Sequence, residues 1–545
     1  MRVLLLLLLI FILGCENSTK KSLENNQEQE DLSAVSTKDF REFKVLDSKY
    51  IDKSKMWESL ENGMSDFSEE KYAATKPLVL EQDIPTLHKQ IEDGTLSYEN
   101  LVKFYLYRIR KFDRNNSLSL NSVIAINPNV IEQAREKDKS LSSKKEKHPI
   151  FGMPILLKDN INTLDLPTTA GAVALQKNNT QNAFITQKLI ENGALILGKA
   201  NLSEWAYYFC GDCPSGYSAI GGQTLNPYGR RTIDTGGSSS GSGVAVAANF
   251  CVAAVGSETA GSILSPASQN STVGLKPTIG LLSRTGIVPI SSTLDTPGPI
   301  TKNVIDNAIL LDAMKGFDAS DFKSIEMDLD IRNYYENLSE GSIQGKRFGA
   351  FTEFLKDSLY ANAVDVLKNR GAEIIEISEE EVELPEFLRL LNLDMKADLA
   401  SYFDNYSDEE LKFKSIEDVM SFNESDSLNI MPYGQKLFKG VSEDKATEEE
   451  FDALKNVLKS NGKRFFDLPM KAENLDGILS INNYHAAEAA VAEYPAITVP
   501  MGYTSEGAPK GLTFISKPKS EKDLLEYAFS YEQASQMRKT PENYN

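Results

Sequence analysis

The hydrophobic positions of the chain alternate between short continuous runs and helically spaced sets. After Ser97, a candidate N-cap, apolar residues recur at the spacing of an amphipathic helix: Leu101, Val102, Tyr105, Leu106, Ile109 and Phe112. Runs that predict strands lie at 123–126, 155–158, 194–198, 347–351, 372–377, 476–480, 496–502 and 511–516. Further helices are predicted after Pro128, over 187–193, from Asn201, near Ala361 and over 522–537. This alternation predicts an α/β fold built on a large mixed sheet.

The stretch 236–276 joins two serine-bearing turns through a compact apolar run. The first turn is GGSSSGSG at 236–243, the run covers 244–255, and the second turn is SETAGS at 257–262. The run is long enough for a buried helix that leads into a strand. Glycines allow the backbone to approach a ligand closely, and hydroxyls act as nucleophiles once a base is present. We therefore expect the functional site in this stretch.

Composition limits the class of protein. With 545 residues, of which 41% are hydrophobic and 25% charged, the chain can bury a large core in one large domain or two closely packed ones. Its net charge of −20 argues against a nucleic-acid partner, because phosphate binding needs a basic surface.

The first residues form a predicted lipoprotein signal peptide at 1–14. Arg2 precedes an apolar run too short to span a bilayer, and ILGC at 12–15 resembles a bacterial lipobox, so Cys15 would be lipidated. We expect an exported protein held on a membrane by lipid, and Glu16 favours the outer membrane. A plain signal peptide or a short anchor is the alternative.

The rest of the chain divides by composition. Residues 15–82 are predicted to form a polar tether and N-terminal extension, in which 16–38 are too polar and charged to fold. The folded domain is expected over 83–540, with an acidic helical insertion at 380–470 that packs on one side of the core.

The other cysteines suggest little chemistry. Cys210 and Cys213 form a C-x-x-C pair that could be a disulfide in an exported protein or two reduced thiols. A zinc site would need a second ligand pair, and the sequence offers no other C-x-x-C or histidine cluster. No metal is therefore expected, and Cys251 is interpreted as a core residue.

The serine turns fit two kinds of hydrolase. A phosphate loop would require a lysine after the turn, and none follows. Residues 237–241 match G-x-S-x-G, the nucleophile elbow of α/β-hydrolases, which would make Ser239 the nucleophile of an esterase. Of the three histidines only His485 could then serve as base, and no HGGG-type segment precedes the loop. A mechanism without histidine is the better hypothesis.

A set of ordered motifs resembles the amidase signature family. GGSSSGSGVAVAAN and SETAGSILSPASQNSTVGLKPTIGLLSRTGIVPISSTLDTPGP look like the family's core, and PILLKDNINT, GALILGKANLSEWA, GGQTLNPYG and YPAITVPMGY extend the resemblance over about 84–540. Within the family the chain looks most like bacterial peptide amidases and related secreted amidases. The resemblance implies a large mixed sheet covered by helices on both faces, and an enzyme that hydrolyses linear amides without a cofactor.

The resemblance also assigns roles to residues. The family's catalytic lysine falls on Lys158 in KDN, its bridging serine, which follows a cis peptide bond, on Ser238, and its nucleophile on Ser262. The backbone N–H groups of Thr259, Ala260, Gly261 and Ser262 would form the oxyanion hole. The implied substrate is a peptide C-terminal amide or a similar linear amide.

The assigned chemistry makes a physical demand on Lys158. It can accept a proton relayed from Ser262 through Ser238 only if its amine is neutral. An ordinary lysine titrates near pH 10.4, so neutrality at pH 7 requires a pKa lowered by about 3.4 units, which burial at the end of an apolar strand can supply. Asp159 should alternate to the other side of the strand and leave the amine uncompensated.

Some positions depart from the family pattern. Ala260 would be strained if its position requires a positive φ, and Leu264 replaces a common arginine, which favours neutral over anionic substrates. Residues 269–271 also differ, so the shape of the pocket is not predicted. Two other functions stay open: a surface binding protein with an inactive amidase fold, and a transamidating subunit for aminoacyl-tRNA, which the export motif and the acidity oppose. The sequence does not predict an oligomeric state.

Overall fold

A computed structural model describes residues 43–114, 116–141, 146–326 and 333–545. Cys15, the predicted signal peptide and the predicted tether at 16–38 lie outside these residues. The described strands are β1 Val123–Ile126, β2 Pro154–Lys158, β3 Leu195–Ala200, β4 Tyr217–Ser218, β5 Gly222–Gln223, β6 Ala253–Glu258, β7 Val273–Lys276, β8 Thr296–Thr301, β9 Arg347–Phe351, β10 Glu373–Ile377, β11 Gly477–Ile481, β12 Ala496–Tyr503 and β13 Pro509–Ile515.

The described α-helices alternate with these strands along the chain. They are α1 Lys53–Glu58, α2 Glu61–Met64, α3 Glu69–Val79, α4 Ile84–Glu92, α5 Tyr98–Phe112, α6 Val130–Lys139, α7 Phe184–Glu191, α8 Ser240–Ala247, α9 Leu264–Gln269, α10 Val304–Met314, α11 Ser358–Asn369, α12 Phe387–Asn405, α13 Ile416–Glu424, α14 Ser427–Ile430, α15 Lys436–Glu443, α16 Glu448–Ala472, α17 Ala486–Ala492 and α18 Glu521–Ser535.

Eleven of the described strands form one mixed sheet, in the order β1-β3-β2-β6-β8-β7-β12-β13-β11-β9-β10. Strand β2 pairs in parallel with β3 and β6, whereas β8 pairs antiparallel with β6 and β7. The predicted α/β class and mixed sheet are therefore confirmed. Lys158 ends the third strand of this order, between two parallel neighbours.

Helices cover both faces of the sheet. Side chains alternate between the faces of a strand, and neighbours on β13 enter different clusters. Phe514 packs in the main core with helix α18, while Ile515 packs in a second cluster with helices α16 and α17. The sheet is thus buried on both faces, as the resemblance implied.

Most predicted elements are present, within a few residues at their ends. Ser97 caps α5 by accepting a hydrogen bond from the backbone N–H of Asn100 at 3.1 Å, so the predicted cap is confirmed. The apolar run after the first serine turn forms the buried helix α8 and then strand β6, as expected.

The helix predicted from Asn201 is wrong. Residues 204–207 form only a short 3₁₀ turn, in which Trp205 and Ala206 adopt positive φ angles of 52° and 55°. The Asn201 side chain instead donates hydrogen bonds to the carbonyls of Asn121 and Gly222, at 3.2 and 3.1 Å. These tertiary contacts override the local helical pattern.

The 380–470 region is helical, as expected, and contains α12 to α15 and most of α16. Its apolar residues, among them Met395, Leu399 and Phe438, form a cluster with the segment after β3 and with Val288, Ile290 and Leu294 before β8. The insertion therefore covers the loops at one end of β2, β3 and β6. Among the described residues, no helix is both long enough and apolar enough to cross a membrane.

Candidate active site

Lys158 is a buried amine with three oxygen neighbours. Its Nζ lies 2.7 Å from Ser238 Oγ, 2.9 Å from Ser257 Oγ and 3.0 Å from the Ser257 carbonyl oxygen. The side chain has no exposed surface. A neutral amine has two N–H donors and one lone pair, so one of the two hydroxyls can donate to the nitrogen while the carbonyl only accepts.

Burial sets the charge of this amine. It lowers the pKa of Lys158 to about 7, and the carboxylates of Asp295 and Glu258 oppose the shift only in part. Asp159, the next residue, instead pairs with Lys199, whose Nζ lies 3.3 Å from the Asp159 carboxylate. The amine is thus neutral in an appreciable fraction of molecules at neutral pH, as base chemistry requires.

Ser238 follows a cis peptide bond, between Gly237 and Ser238. The Ser238 carbonyl accepts a hydrogen bond from the Ser203 N–H at 3.0 Å, and the Ser238 side chain is fully buried. Gly236, at φ 63°, begins this turn, and a Cβ there would lie 2.7 Å from the backbone of Ser265. Only glycine fits at this close approach of the first serine turn to helix α9.

Ser262 lies on the second turn, and its side chain is half-buried. The two turns are joined by a hydrogen bond from the Ser239 N–H to the Ser262 carbonyl, at 3.1 Å. The structure therefore places the Ser238 and Ser262 segments in direct contact, and Ser238 Oγ also contacts the Lys158 amine.

The second turn contains free backbone donors. In the part of the chain that the structure describes, the N–H groups of Thr259, Ala260, Gly261 and Ser262 donate no hydrogen bond. The next two N–H groups, those of Ile263 and Leu264, both donate to the Glu258 carboxylate, at 2.7 and 3.0 Å. Thr259 and Gly261 are buried, and Ala260 and Ser262 are half-buried. Since most buried N–H groups are paired, this run of free donors indicates a site for a negatively charged oxygen.

The turn does not strain Ala260. Gly261 carries the positive φ, 94°, whereas Ala260 is not among the residues with positive φ. Leu264 is buried in an apolar cluster, and the Asn270 amide donates hydrogen bonds of 2.8 Å to the carbonyls of Thr235 and Pro266. These departures from the family pattern are thus accommodated by packing.

The esterase alternative lacks its geometry. Ser239 Oγ donates to the Ser257 carbonyl at 3.0 Å and accepts from the Ser257 N–H at 3.2 Å, so its hydroxyl is already bound. His485 contacts Ser480 Oγ and the Glu379 carboxylate, at 3.0 and 3.2 Å, and packs against three phenylalanine rings. The structure does not bring Ser239 and His485 together.

The cysteines differ in state. Cys210 and Cys213 are joined by a disulfide, with Cα atoms 5.8 Å apart, and Cys251 is free and buried in the core. Burial raises the pKa of the Cys251 thiol to about 12, so it is unreactive. No group of side chains suited to a metal ion occurs among the described residues.

Comparison with known proteins assigns the chain to a family. The family model Amidase matches residues 100–455, more than half of the chain. The chain belongs to the amidase family. It is therefore an amide-hydrolysing enzyme of the α/β class, and the resemblance to the amidase signature family is confirmed.

Three relatives of this amidase are informative. An amidase family protein from Bacillus anthracis is 36% identical, with a TM-score of 0.85 over 91% of this chain and 99% of that chain. A peptide amidase from Stenotrophomonas maltophilia is 35% identical, with a TM-score of 0.80 over 85% and 98%. A glutamyl-tRNA(Gln) amidotransferase subunit from Thermoanaerobacter pseudethanolicus is 29% identical over 84% of this chain and 97% of its own length.

Two polar residues beside the Lys158 amine were not predicted from the sequence. Ser257 contacts Lys158 through both its hydroxyl and its carbonyl, and Asn160 Nδ2 donates to Ser257 Oγ at 2.9 Å. Both lie within KDN and SETAGS, the motifs that contain the functional residues. Their position inside these motifs could have identified them, but which side chain faces the Lys158 amine depends on the pairing of β2 with β6.

Proposed function

We propose that this amidase works through an acyl-Ser262 intermediate. Ser262 Oγ attacks the amide carbonyl carbon and passes its proton to Ser238, whose own proton moves to the neutral Lys158 amine. The carbonyl oxygen becomes negative and accepts hydrogen bonds from the free N–H groups of 259–262. When the C–N bond breaks, the departing nitrogen takes the proton back through Ser238. Water then releases the acid from Ser262 by the same proton path.

One observation carries this proposal: the Lys158 amine is fully buried and lies 2.7 Å from Ser238 Oγ. A charged amine could not accept a proton from Ser238, and burial lowers the pKa of Lys158 to about 7. The contact between the Ser238 and Ser262 turns supports the next step of the relay.

The proposed substrates are C-terminal amides of peptides, or similar linear amides, with ammonia as the leaving group. The similarity to a peptide amidase supports this class, and the replacement of a common arginine by Leu264 removes a charge that would favour anionic substrates. A transamidating role on tRNA is less favoured, because a net charge of −20 repels a polyanion.

Ammonia release from amidated peptides tests the proposal. Wild-type protein should release ammonia, and Lys158→Met, which keeps a buried side chain of similar length, should lower kcat by about 10³-fold. His485→Gln serves as the control and should stay within about threefold of wild type, because His485 lies outside the proposed site. Undiminished hydrolysis by Lys158→Met would overturn the mechanism.

We also propose that the protein is exported and anchored through a lipid on Cys15, on the outer membrane if the cell has two membranes. The apolar run before Cys15 motivates this, and a disulfide between Cys210 and Cys213 suits an oxidising compartment. Metabolic labelling with an alkyne fatty acid should mark the wild-type protein and not Cys15→Ser. Equal labelling of both proteins, or of neither, would contradict the proposal.

A further inference from the structure

A cavity of about 170 Å³ lies next to the candidate active site. One wall contains Ser257, whose hydroxyl contacts Lys158, and Thr259, the first of the free backbone donors. The opposite wall comes from the insertion and contains Asp398 and Tyr402 of α12. A group attached to a substrate amide could therefore enter this cavity while its carbonyl faces Ser262.

The charge of the cavity wall is negative. Arg284 is the only lysine or arginine among the lining residues, and the carboxylate of Asp321 binds it, with Nε donating at 2.9 Å. The other two acidic lining residues, Asp295 and Asp398, form no ion pair within the described residues. They accept hydrogen bonds only from neutral groups, among them the N–H of Ile290 and of Ser292, at 2.8 and 2.5 Å.

A third carboxylate, that of Asp394, lies close to Asp398 but does not line the cavity. Asp394, one turn before Asp398 on α12, accepts hydrogen bonds from the Ser291 hydroxyl and, at 3.3 Å, from the Thr293 N–H. Burial and then the charge of Asp394 raise the pKa of Asp398 to about 7. The charge of Lys455 acts on Asp394, but Lys455 pairs with Asp452, at 2.7 Å, so a bound cation would be stabilised by both Asp394 and Asp398.

A second, independent observation is an unpaired side-chain oxygen on a residue of the cavity wall. Asn160 lines the cavity and is 2% exposed. Its Nδ2 donates to Ser257 Oγ at 2.9 Å, but its Oδ1 accepts no hydrogen bond from any described residue. A buried amide oxygen without a partner is costly unless a ligand or water supplies a donor.

The cavity also presents aromatic surface. Tyr402 and Tyr406 line it; Phe322 also lines it, but the Arg284 guanidinium already lies over its ring, 5.2 Å from the centroid. Aromatic faces beside carboxylates attract organic cations more than they attract metal ions, which prefer oxygen ligands alone.

We propose that this cavity binds a protonated amine carried by the amide substrate, with Asp398 as the specificity-determining counter-ion. The inference rests on the proposed function, because it assigns the substrate's cationic group to a cavity beside the Lys158 site. It narrows the substrate class to amides that carry an ammonium group near the scissile carboxamide.

Turnover of two matched amides tests the inference. Acetyl-lysine amide and acetyl-norleucine amide differ mainly in the ammonium group, and at pH 8 Asp398 is mostly ionised. Wild type should hydrolyse the lysine amide with a kcat/KM about tenfold higher or more. Asp398→Asn, which can still accept from the Ser292 N–H, should remove that preference by raising KM for the lysine amide. The fall in kcat/KM should be at least about tenfold larger for the lysine amide than for the norleucine amide.

Asp404→Asn is the matched control. Asp404 lies on the same helix, but it is exposed and contacts Lys414 at 2.9 Å. It should keep the wild-type preference. Equal kcat/KM for the two amides in wild type, or an equal loss on both amides in Asp398→Asn, would overturn the inference.

Ligand binding to a variant that cannot hydrolyse the substrate tests this inference separately from the proposed function. In Ser262→Ala, calorimetry should give n-pentylammonium an affinity at least about tenfold higher than n-pentanol, and Asp398→Asn in that background should abolish the difference. Binding of the amine without hydrolysis of any amide by wild type would refute the proposed function and support the cavity assignment. Equal affinity for amine and alcohol would refute the cavity assignment.

Discussion

At the scale of single residues, the account depends on the protonation of Lys158. Three oxygen atoms surround its amine within 3.0 Å, and none belongs to a carboxylate. Burial without a counter-ion lowers a lysine pKa, whereas a direct ion pair would restore it. Lys199, one strand away, is equally buried; burial lowers its pKa as well, but the adjacent Asp159 carboxylate offsets part of that shift.

The pH dependence of hydrolysis follows from this pKa. The base must be neutral, so protonation removes activity as the pH falls through about 7, the pKa of Lys158. We expect kcat/KM for acetyl-norleucine amide to rise about tenfold per pH unit below 7 and to level off above it. Because this substrate carries no charge, the titration of Asp398 should not contribute to its pH profile. A profile that still rises at pH 9 would show that the lysine keeps its ordinary pKa.

At the scale of elements, the sequence predicted the two serine turns but not the contacts that distant segments make around them. Motif order predicted Lys158, Ser238 and Ser262 as the catalytic residues, and the apolar run between the turns correctly predicted α8 and β6. The helix expected from Asn201 failed because the Asn201 side chain binds backbone carbonyls from two other segments. Such contacts between distant segments have no local pattern in the sequence.

The turn that carries the free donors gives a prediction for Gly261. Its φ of 94° is unfavourable for any side chain, and a Cβ there would lie 3.0 Å from Asn483 Nδ2. Gly261→Ala should turn the N–H groups of this loop and lower kcat by about 10²-fold. Steady-state kinetics with an amidated peptide measure the effect.

Ala260→Gly is the matched control for that experiment. Ala260 does not have a positive φ, so its replacement should keep kcat within about threefold of wild type. A wild-type kcat in Gly261→Ala, or losses of equal size in both variants, would contradict the assignment of the oxyanion site.

At the scale of the whole molecule, the chain brings distant segments together. The insertion supplies one wall of the cavity, so Asp398 and Tyr402 lie opposite Asn160 and Ser257 although they are far apart in sequence. The sequence correctly predicted a helical region at 380–470 but not the face that α12 presents to the cavity. That face depends on how α12 packs against the segment before β8.

A half-buried ion pair joins an N-terminal and a C-terminal segment of the described chain. Arg538 donates to both oxygens of Glu81, at 2.8 Å each, and to the Ser271 carbonyl at 2.7 Å. Burial alone would raise the pKa of Glu81, but the charge and hydrogen bonds of Arg538 lower it to about 2. Glu81→Gln should lower the free energy of unfolding by about 1.5–3 kcal/mol at pH 7, because it leaves the half-buried Arg538 without its carboxylate partner.

The pH dependence of this effect has a defined sign. A carboxyl whose pKa is lowered on folding stabilises the protein above its unfolded pKa, near 4.5, and that stabilisation is lost as the pH falls toward 2. Denaturant melts of wild type and Glu81→Gln should therefore converge over this range. Glu353→Gln, which removes an exposed pair with Lys356, should cost less than about 1 kcal/mol. An equal loss of unfolding free energy in the two variants at pH 7 would contradict the stabilising role assigned to the Glu81–Arg538 pair.

The central claim is that Ser262, activated through Ser238 and Lys158, forms the acyl-enzyme. Labelling with a fluorophosphonate, followed by peptide mapping with mass spectrometry, tests it most directly. The account predicts one adduct on Ser262 in wild type and in His485→Gln, and labelling at least about 10²-fold slower in Lys158→Met. An adduct on Ser239, or labelling of Lys158→Met at the wild-type rate, would contradict it.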